Sequence, residues 1–373
     1  MTGYDVIIIG GGVIGGSIAF HLSKKGFKVL LLERDRIASG SSSAAAGMLG
    51  AQTEMQDGGP LFELARRSRS MFPKLAEELK ETCGIDIGLV QKGLLKIAHL
   101  PEHVEEYRRT VKFQQSLSEQ AEWLTPSQAL EREPALSNHI LGAMYFSEEG
   151  QVLAPELSTA YVKAAAVLGA EIREYAEVKS LLITNGKVKG VITNEETLHC
   201  DQVIMAAGVW GNQLLEQTGL SLNVYPVKGE CFSVVTRTPL IQSTIFSHSC
   251  YLVPKQGGRI VVGATMIEHT YDRSVSMEGL FTLMSKAKEL IPSIASAQWE
   301  TSWAGLRPQT LDGLPYFGEA PNLKGLFIAM GHYRNGILLS PITGTIMTDL
   351  VEGKQPTEMD LSAFSPARHQ IHQ

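Results

Sequence analysis

The stretch from Asp5 to Glu33 constrains this chain more than any other, because it accommodates a single kind of folding unit. Val6-Ile7-Ile8-Ile9 is a continuous β-branched run, the pattern of a strand buried on both faces of a parallel sheet. Gly10-Gly11-Gly12-Val13-Ile14-Gly15 follows and satisfies G-x-G-x-x-G. A helix is expected from Gly16 to about Gly26, and Lys28-Val29-Leu30-Leu31-Leu32 returns as a second strand ending at Glu33. Each part of this βαβ unit answers a physical need. Gly10 permits the tight turn, Gly12 lets the backbone approach a pyrophosphate, and Gly15 allows close packing of helix on strand. The pyrophosphate sits on helix amides that have no intrahelical partner. Glu33 falls 18 residues after Gly15, where a carboxylate accepts from ribose hydroxyls and repels a 2′-phosphate. The unit reads as a dinucleotide site that disfavours NADP.

Composition removes other classes. The 373 residues suggest two or three domains, and 44 % hydrophobic against 19 % charged residues is ordinary globular usage. A net charge of −6 lacks the basic surplus of a nucleic-acid binder. Cys83, Cys200, Cys231 and Cys250 form no C-x-x-C pair and no metal spacing, so a reducing cytoplasm is expected and no metal is assigned. His332, His369 and His372 likewise have no ligand spacing. No export signal precedes Val6, and the uncharged run to Phe20 is broken by five glycines and falls short of the roughly 20 residues a membrane span needs.

The remainder alternates in style. Ser39-Gly40-Ser41-Ser42-Ser43-Ala44-Ala45-Ala46-Gly47-Met48 is a small-residue run that lets backbone touch a planar ligand. Helical periodicity covers 60–82, a strand is expected at 93–98, and 102–132 reads as mostly helical. A helix over 155–168 precedes strands at 171–175, 178–184, 187–193 and 202–205, the last leading into Ala206-Ala207-Gly208. Short strands at 230–235, 250–254 and 259–263 come before a helix at 280–290. A strand at 326–329 leads through Met330-Gly331-His332-Tyr333-Arg334-Asn335-Gly336 to a helix that Ser340-Pro341 either starts or kinks.

Six blocks in fixed order carry a family likeness: the N-terminal fingerprint, Ser43–Gly50, Pro226–Cys231, Val261–Met266, Ala304–Pro308 and Gly331–Gly336. Over essentially its whole length the chain resembles the FAD-dependent glycine oxidases of bacterial thiamine biosynthesis, in the D-amino-acid oxidase superfamily. The expected fold is α/β, a Rossmann-like FAD-binding domain (1–50, 150–220 and 305–373) interleaved with a sheet-based α+β substrate domain (51–149 and 221–304). The resemblance implies oxidation of glycine, sarcosine and small D-amino acids by O2, giving an imine and then a 2-oxo acid, ammonia or amine, and H2O2. It also implies a homotetramer with non-covalent FAD and a link to thiazole-synthesis enzymes. Carried over by position, Arg307 and Tyr251 would hold the substrate carboxylate, with Arg334 and Met266 beside it. FAD would be contacted by Gly10, Gly12, Val13, Ile14, Gly15, Glu33, Arg34, Ser41, Ser42, Ala46, Gly47, Met48, Val178, Gly208, His332, Tyr333, Arg334, Asn335, Gly336, Ile337 and Leu338. One position departs. Where such enzymes carry His two residues before the tyrosine this chain has Ser249, with His248 beside it.

Oxidising a C–N bond needs an electron sink and a substrate clamp, and a flavin supplies the first without any Ser/His/Asp machinery. No side chain is therefore assigned as general acid or base. An Arg fork matches both oxygens of a carboxylate, and Arg307 stands in the apolar setting Trp303-Ala304-Gly305-Leu306 ahead of a proline. The competing functions are a sarcosine oxidase or D-amino-acid dehydrogenase of the same superfamily, and an NAD-dependent oxidoreductase built on the same βαβ unit. The chain has no cysteine after Cys250, which weighs against the sarcosine oxidases that attach FAD to a C-terminal cysteine.

Overall fold

Val6–Ile9 lies inside a six-stranded sheet, and the computed structural model describes residues 3–54, 58–354 and 359–369 of the chain. His372 falls outside the described residues. The order in space is Tyr316–Glu319, Leu326–Met330, Gln202–Met205, Val6–Ile9, Val29–Leu32 and Glu171–Arg173, parallel except at the edge strand Tyr316–Glu319. Successive side chains of a strand point to opposite faces, so both faces of the β-branched run need cover. Val6, Ile8, Val29 and Leu31 pack with the helices Val13–Lys24, Ala154–Val167 and Gly336–Val351. Ile7, Ile9, Leu30 and Leu32 pack against a three-stranded sheet of Val178–Thr184, Lys187–Thr193 and Thr197–His199.

A second, nine-stranded sheet runs Ile267–Glu268, Tyr225–Val235, Arg259–Gly263, Tyr251–Pro254, Thr244–Phe246, Leu94–Ala98, Gly142–Phe146 and Glu122–Leu124, with Gln298–Gln309 also paired to Tyr225–Val235. Helix Met277–Leu290 covers one face through Leu283, Ala287 and Leu290. Helix Pro101–Ser116 covers the other, where Tyr107 and Val111 share a cluster with Cys231 and Tyr251.

Several boundaries differ from expectation, each for a physical reason. The first helix starts at Val13, with Gly12 as its N-cap, so Val13 and Ile14 stand in its first turn. Residues 102–132 are not one helical stretch: strand Glu122–Leu124 interrupts them, and helix Pro126–Arg132 begins afresh at a capping box between Thr125 and Gln128. The strand Tyr225–Val235 begins five residues before the expected 230, and Gln298–Gln309 was not expected as a strand. Prolines disguise both, since Pro226 and Pro308 face each other in the register and neither can donate to the ladder. Gln298–Gln309 runs across the 304/305 cut between the two expected domains, so Arg307 belongs to the second sheet. Helix Pro60–Cys83, expected in the second domain, buries Phe62, Leu64, Phe72 and Leu79 in the core of the first.

Pro341 does not start the last helix, which runs Gly336–Val351 with the proline inside it. A mid-helix proline leaves carbonyls without their usual donors. Serines gather around it: Ser340 Oγ donates to Ile337 O, the carbonyl that the proline leaves without its donor, at 2.9 Å, and Ser68 Oγ donates to Leu338 O at 2.6 Å and Ser17 Oγ to Ser340 O at 2.7 Å.

Candidate active site

One cavity of about 340 Å³ runs between the two sheets, and it is lined by both the glycine turn and the second sheet. At the turn, Gly10 has φ +109°, and a Cβ there would stand 2.5 Å from Ala206 O, so only glycine fits. Val13 N donates to Ser42 Oγ at 2.9 Å, which ties the small-residue loop to the first turn of the helix. Glu33 accepts from Gly11 N at 2.7 Å and Asp35 N at 2.9 Å, and these bonds fix its carboxylate in the cavity wall. The Arg34 guanidinium lies 4.0 Å over the Trp210 ring, closing that end. The helix Gly336–Val351 opens on the same cavity through Asn335, Gly336 and Ile337. A tight glycine turn, two helix N-termini and an oriented carboxylate fit a dinucleotide whose phosphates are anionic and whose ribose donates.

The other end is chemically different. Arg307 projects from Gln298–Gln309, and its guanidinium lies over Gly229, where a Cβ would meet Nη2 at 2.2 Å. Arg307 Nη1 donates to Thr265 O at 3.3 Å, and among the described residues no carboxylate pairs with it. Thr265 is held in turn, because Glu230 N donates to Thr265 Oγ1 at 2.9 Å. Glu230 is fully buried, with Lys228 Nζ at 3.3 Å and Ser276 N donating to it at 2.9 Å. Tyr251 is 8 % exposed, with its hydroxyl 3.5 Å from Cys231 Sγ. Burial pushes the Tyr251 phenol well above its ordinary value, so it stays protonated and can donate. Arg334 Nη2 pairs with Glu54 Oε1 at 2.7 Å, and its guanidinium lies 5.8 Å from the Phe246 ring centre. His332 is buried, its pKa is pushed down to about 3 by burial, and its Nε2 lies 3.2 Å from Thr343 Oγ1. The ring is neutral at every ordinary pH.

This arrangement is shared with known proteins. The family model described as "FAD dependent oxidoreductase" matches residues 5–350. The chain belongs to that family. Within it, the chain is similar to glycine oxidase of Geobacillus kaustophilus, at 50 % identity over 98 % of this chain and 97 % of the other. A crystal structure of glycine oxidase from Geobacillus kaustophilus superposes with a TM-score of 0.96 at 48 % identity, covering 99 % of each chain. The bifunctional protein ThiO/ThiG of a Synechocystis species is 33 % identical over 98 % of this chain, which spans 54 % of that longer protein. FAD is therefore the dinucleotide, and the α/β fold is that of the family.

Of the residues singled out from sequence, the cavity brings together Gly10, Gly12, Val13, Ile14, Glu33, Arg34, Ser41, Ser42, Ala46, Gly47, Met48, Val178 and Gly208. It adds His332, Tyr333, Arg334, Asn335, Gly336 and Ile337, together with Arg307 and Tyr251. Three do not line it. Gly15 sits behind the turn, where a Cβ would strike Gly10 O at 1.9 Å, so its place is one of packing. Leu338 points into the core at 2 % exposure. Met266 is 59 % exposed, with its sulfur 3.8 Å from the Tyr333 hydroxyl. His248 and Ser249 do not line the cavity either; the His248 ring stacks on His103 instead.

Sequence reasoning passed over Gly229, Trp210 and Glu54 as site residues. Gly229 stands in a quoted block, and a glycine beside the centre of a buried strand was its available signal. Glu54 has no local signal, because its partner Arg334 is 280 residues away.

Proposed function

We propose that this chain oxidises glycine, sarcosine and small D-amino acids with O2 on non-covalently held FAD. The products are an imine, which water converts to a 2-oxo acid (glyoxylate from glycine) with release of ammonia or amine, and H2O2. One observation carries the reading: Arg307, a guanidinium without a carboxylate partner among the described residues, faces the cavity that also holds the dinucleotide cradle. Such a group is a clamp awaiting an anion, and its planar fork suits a substrate carboxylate. The protonated phenol of Tyr251 supplies a further donor at the same end. FAD, when bound, supplies the two-electron sink that C–N oxidation needs. The protein's part is to grip the carboxylate, orient the amine and keep water out of a cavity whose wall at this end includes Met48, Cys231 and Tyr251.

Support for non-covalent FAD is the absence of any cysteine after Cys250. Met277, Phe281 and Met284 leave one face of helix Met277–Leu290 open, Met277 at 84 % and Phe281 at 73 % exposure, which supports self-association as a homotetramer. Free cysteines and the lack, among the described residues, of a helix long and apolar enough to cross a membrane support a cytoplasmic location. The match to half of a ThiO/ThiG protein supports supply of the glycine imine for the thiazole moiety of thiamine.

The test is a glycine titration of the flavin spectrum in Arg307→Ala. Truncating one member of a buried charge pair costs roughly 2–5 kcal/mol. Glycine binding should weaken by roughly 30- to several-thousand-fold, with flavin content unchanged. Arg307→Lys should recover part of the loss, because charge returns without the fork. Binding within about threefold of the parent in Arg307→Ala would remove Arg307 from the site.

A further inference from the structure

We propose that Glu54 determines substrate class: by neutralising Arg334 it leaves the pocket one uncompensated cation, and so selects amines that carry a single anionic group. The inference rests on the reading of Arg307 as the carboxylate clamp. Two guanidinium groups, of Arg307 and Arg334, act on the Tyr251 phenol at this end of the cavity; a further lining arginine, Arg273, donates to Ser39 O on the small-residue loop. The first two differ in one respect. Arg307 has only a carbonyl, Thr265 O, as partner, whereas Arg334 Nη2 holds Glu54 Oε1 at 2.7 Å. Among the described residues Glu54 is the one carboxylate lining this end; Glu33, Asp35 and Glu177 line the other, with Arg34 and Lys179.

The Glu54 side chain is 17 % exposed and that of Arg334 is 27 %, so the pair is largely withdrawn from water. A second anionic group on a substrate would have to take the place of Glu54 on Arg334. That exchange trades one carboxylate for another and leaves Glu54 charged, largely dry and without its ion-pair partner, with Lys96 as the remaining cation that acts on it. A substrate with one carboxylate pays no such cost.

Glu54 is also held where it stands. It ends the turn Ala51–Glu54, whose amides at Gln52 and Thr53 donate to the fully buried Glu149. Gln52 is pinned from its other side by Arg69 Nη1 at 2.7 Å and Gln114 Oε1 at 2.9 Å. A carboxylate on so fixed a turn is a built counter-charge and not a mobile surface acid.

The experiment titrates the flavin spectrum of the holoenzyme with acetate and with malonate, succinate and glutarate. In Glu54→Gln at least one dicarboxylate should gain about tenfold or more in affinity relative to acetate. Glu54→Asp should keep the parent ratio, and Glu54→Gln combined with Arg334→Gln should lose the gain. Arg334→Gln alone removes the ion-pair partner of Glu54 and lowers the positive charge at this end, so dicarboxylates should lose about tenfold or more relative to acetate. If every dicarboxylate-to-acetate ratio in Glu54→Gln and in Arg334→Gln stayed within about threefold of the parent, the proposal would be overturned. A failure of the clamp itself looks different: acetate binding would then be indifferent to Arg307→Ala.

Discussion

Gly229→Ala separates the clamp from the fold more cleanly than any change to Arg307. A Cβ built on Gly229 stands 2.2 Å from Arg307 Nη2 and 2.4 Å from both Cζ and Nη1. Non-bonded heavy atoms prefer about 3.5–4.0 Å, so the guanidinium has to withdraw by roughly 1 Å or more. It is the far end of a flexible side chain, and the backbone of Tyr225–Val235 is ordinary strand, so the fold accommodates the methyl. Replacing glycine by alanine inside a strand should leave stability unchanged or raise it by about 0.5–1 kcal/mol. Ligand geometry is less forgiving, since a misplacement of about 1 Å costs on the order of 100-fold. Glycine titration of the flavin spectrum should therefore show binding weaker by roughly 10- to 100-fold in a protein that melts no earlier than the parent. The Arg307→Ala background supplies the control. There no guanidinium remains to be displaced, so adding Gly229→Ala should change glycine binding by less than about threefold. Equal losses in both backgrounds would mean that the methyl strikes something other than Arg307, and the reasoning would be refuted.

Two further outcomes follow from the same structure. Glu33→Arg removes the ribose acceptor and places a cation beside Gly11, so FAD affinity measured by flavin release should fall; an unchanged flavin content would take Glu33 out of the site. His332 has a folded pKa of about 3 against 6.5 unfolded, so the unfolded chain takes up a proton that the folded chain refuses as pH falls through that window. At about 1.4 kcal/mol per unit, this group alone should cost the protein roughly 2 kcal/mol between pH 6.5 and 5. Urea unfolding of His332→Asn at the two pH values should show that slope reduced, and an identical slope would contradict the assignment.

The parts of the site that were legible in sequence are those whose signal is local. The turn Gly10–Gly15, the acid Glu33 and the loop His332–Gly336 each carry their chemistry within a few residues, and all but Gly11 and Gly15 reach the cavity. Gly15 shows the limit of a motif: it specifies that no side chain fits there, and the reason is Gly10 O rather than a ligand. Met266 and Leu338 show another. Leu338 follows the lining residue Ile337 yet packs in the core, and Met266 lies in the turn between the strands Arg259–Gly263 and Ile267–Glu268, so a block quoted whole cannot say which residue faces where. Glu54 and the pairing of Pro226 with Pro308 depend on partners far along the chain, and local patterns carry no information about them.

What joins the two ends of the cavity is the small-residue loop, and its composition has a mechanical reason. Ser42 Oγ accepts from Val13 N at the start of the first helix, while Ser41 Oγ donates to Leu306 O, next to Arg307. Trp303 Nε1 donates to Ala44 O at 3.0 Å on the same strand. A Cβ on Gly305 would lie 2.5 Å from the Ala44 Cβ, so loop and strand touch with no side chain between them. The loop therefore fixes the distance from the dinucleotide cradle to the carboxylate clamp. A larger residue at position 44 would press on the strand that carries Arg307. Alanine and serine are required here for close approach, much as Gly229 is required beneath the guanidinium. The first turn of the helix Val13–Lys24 and the strand that carries Arg307 are in this way joined through one small-residue loop.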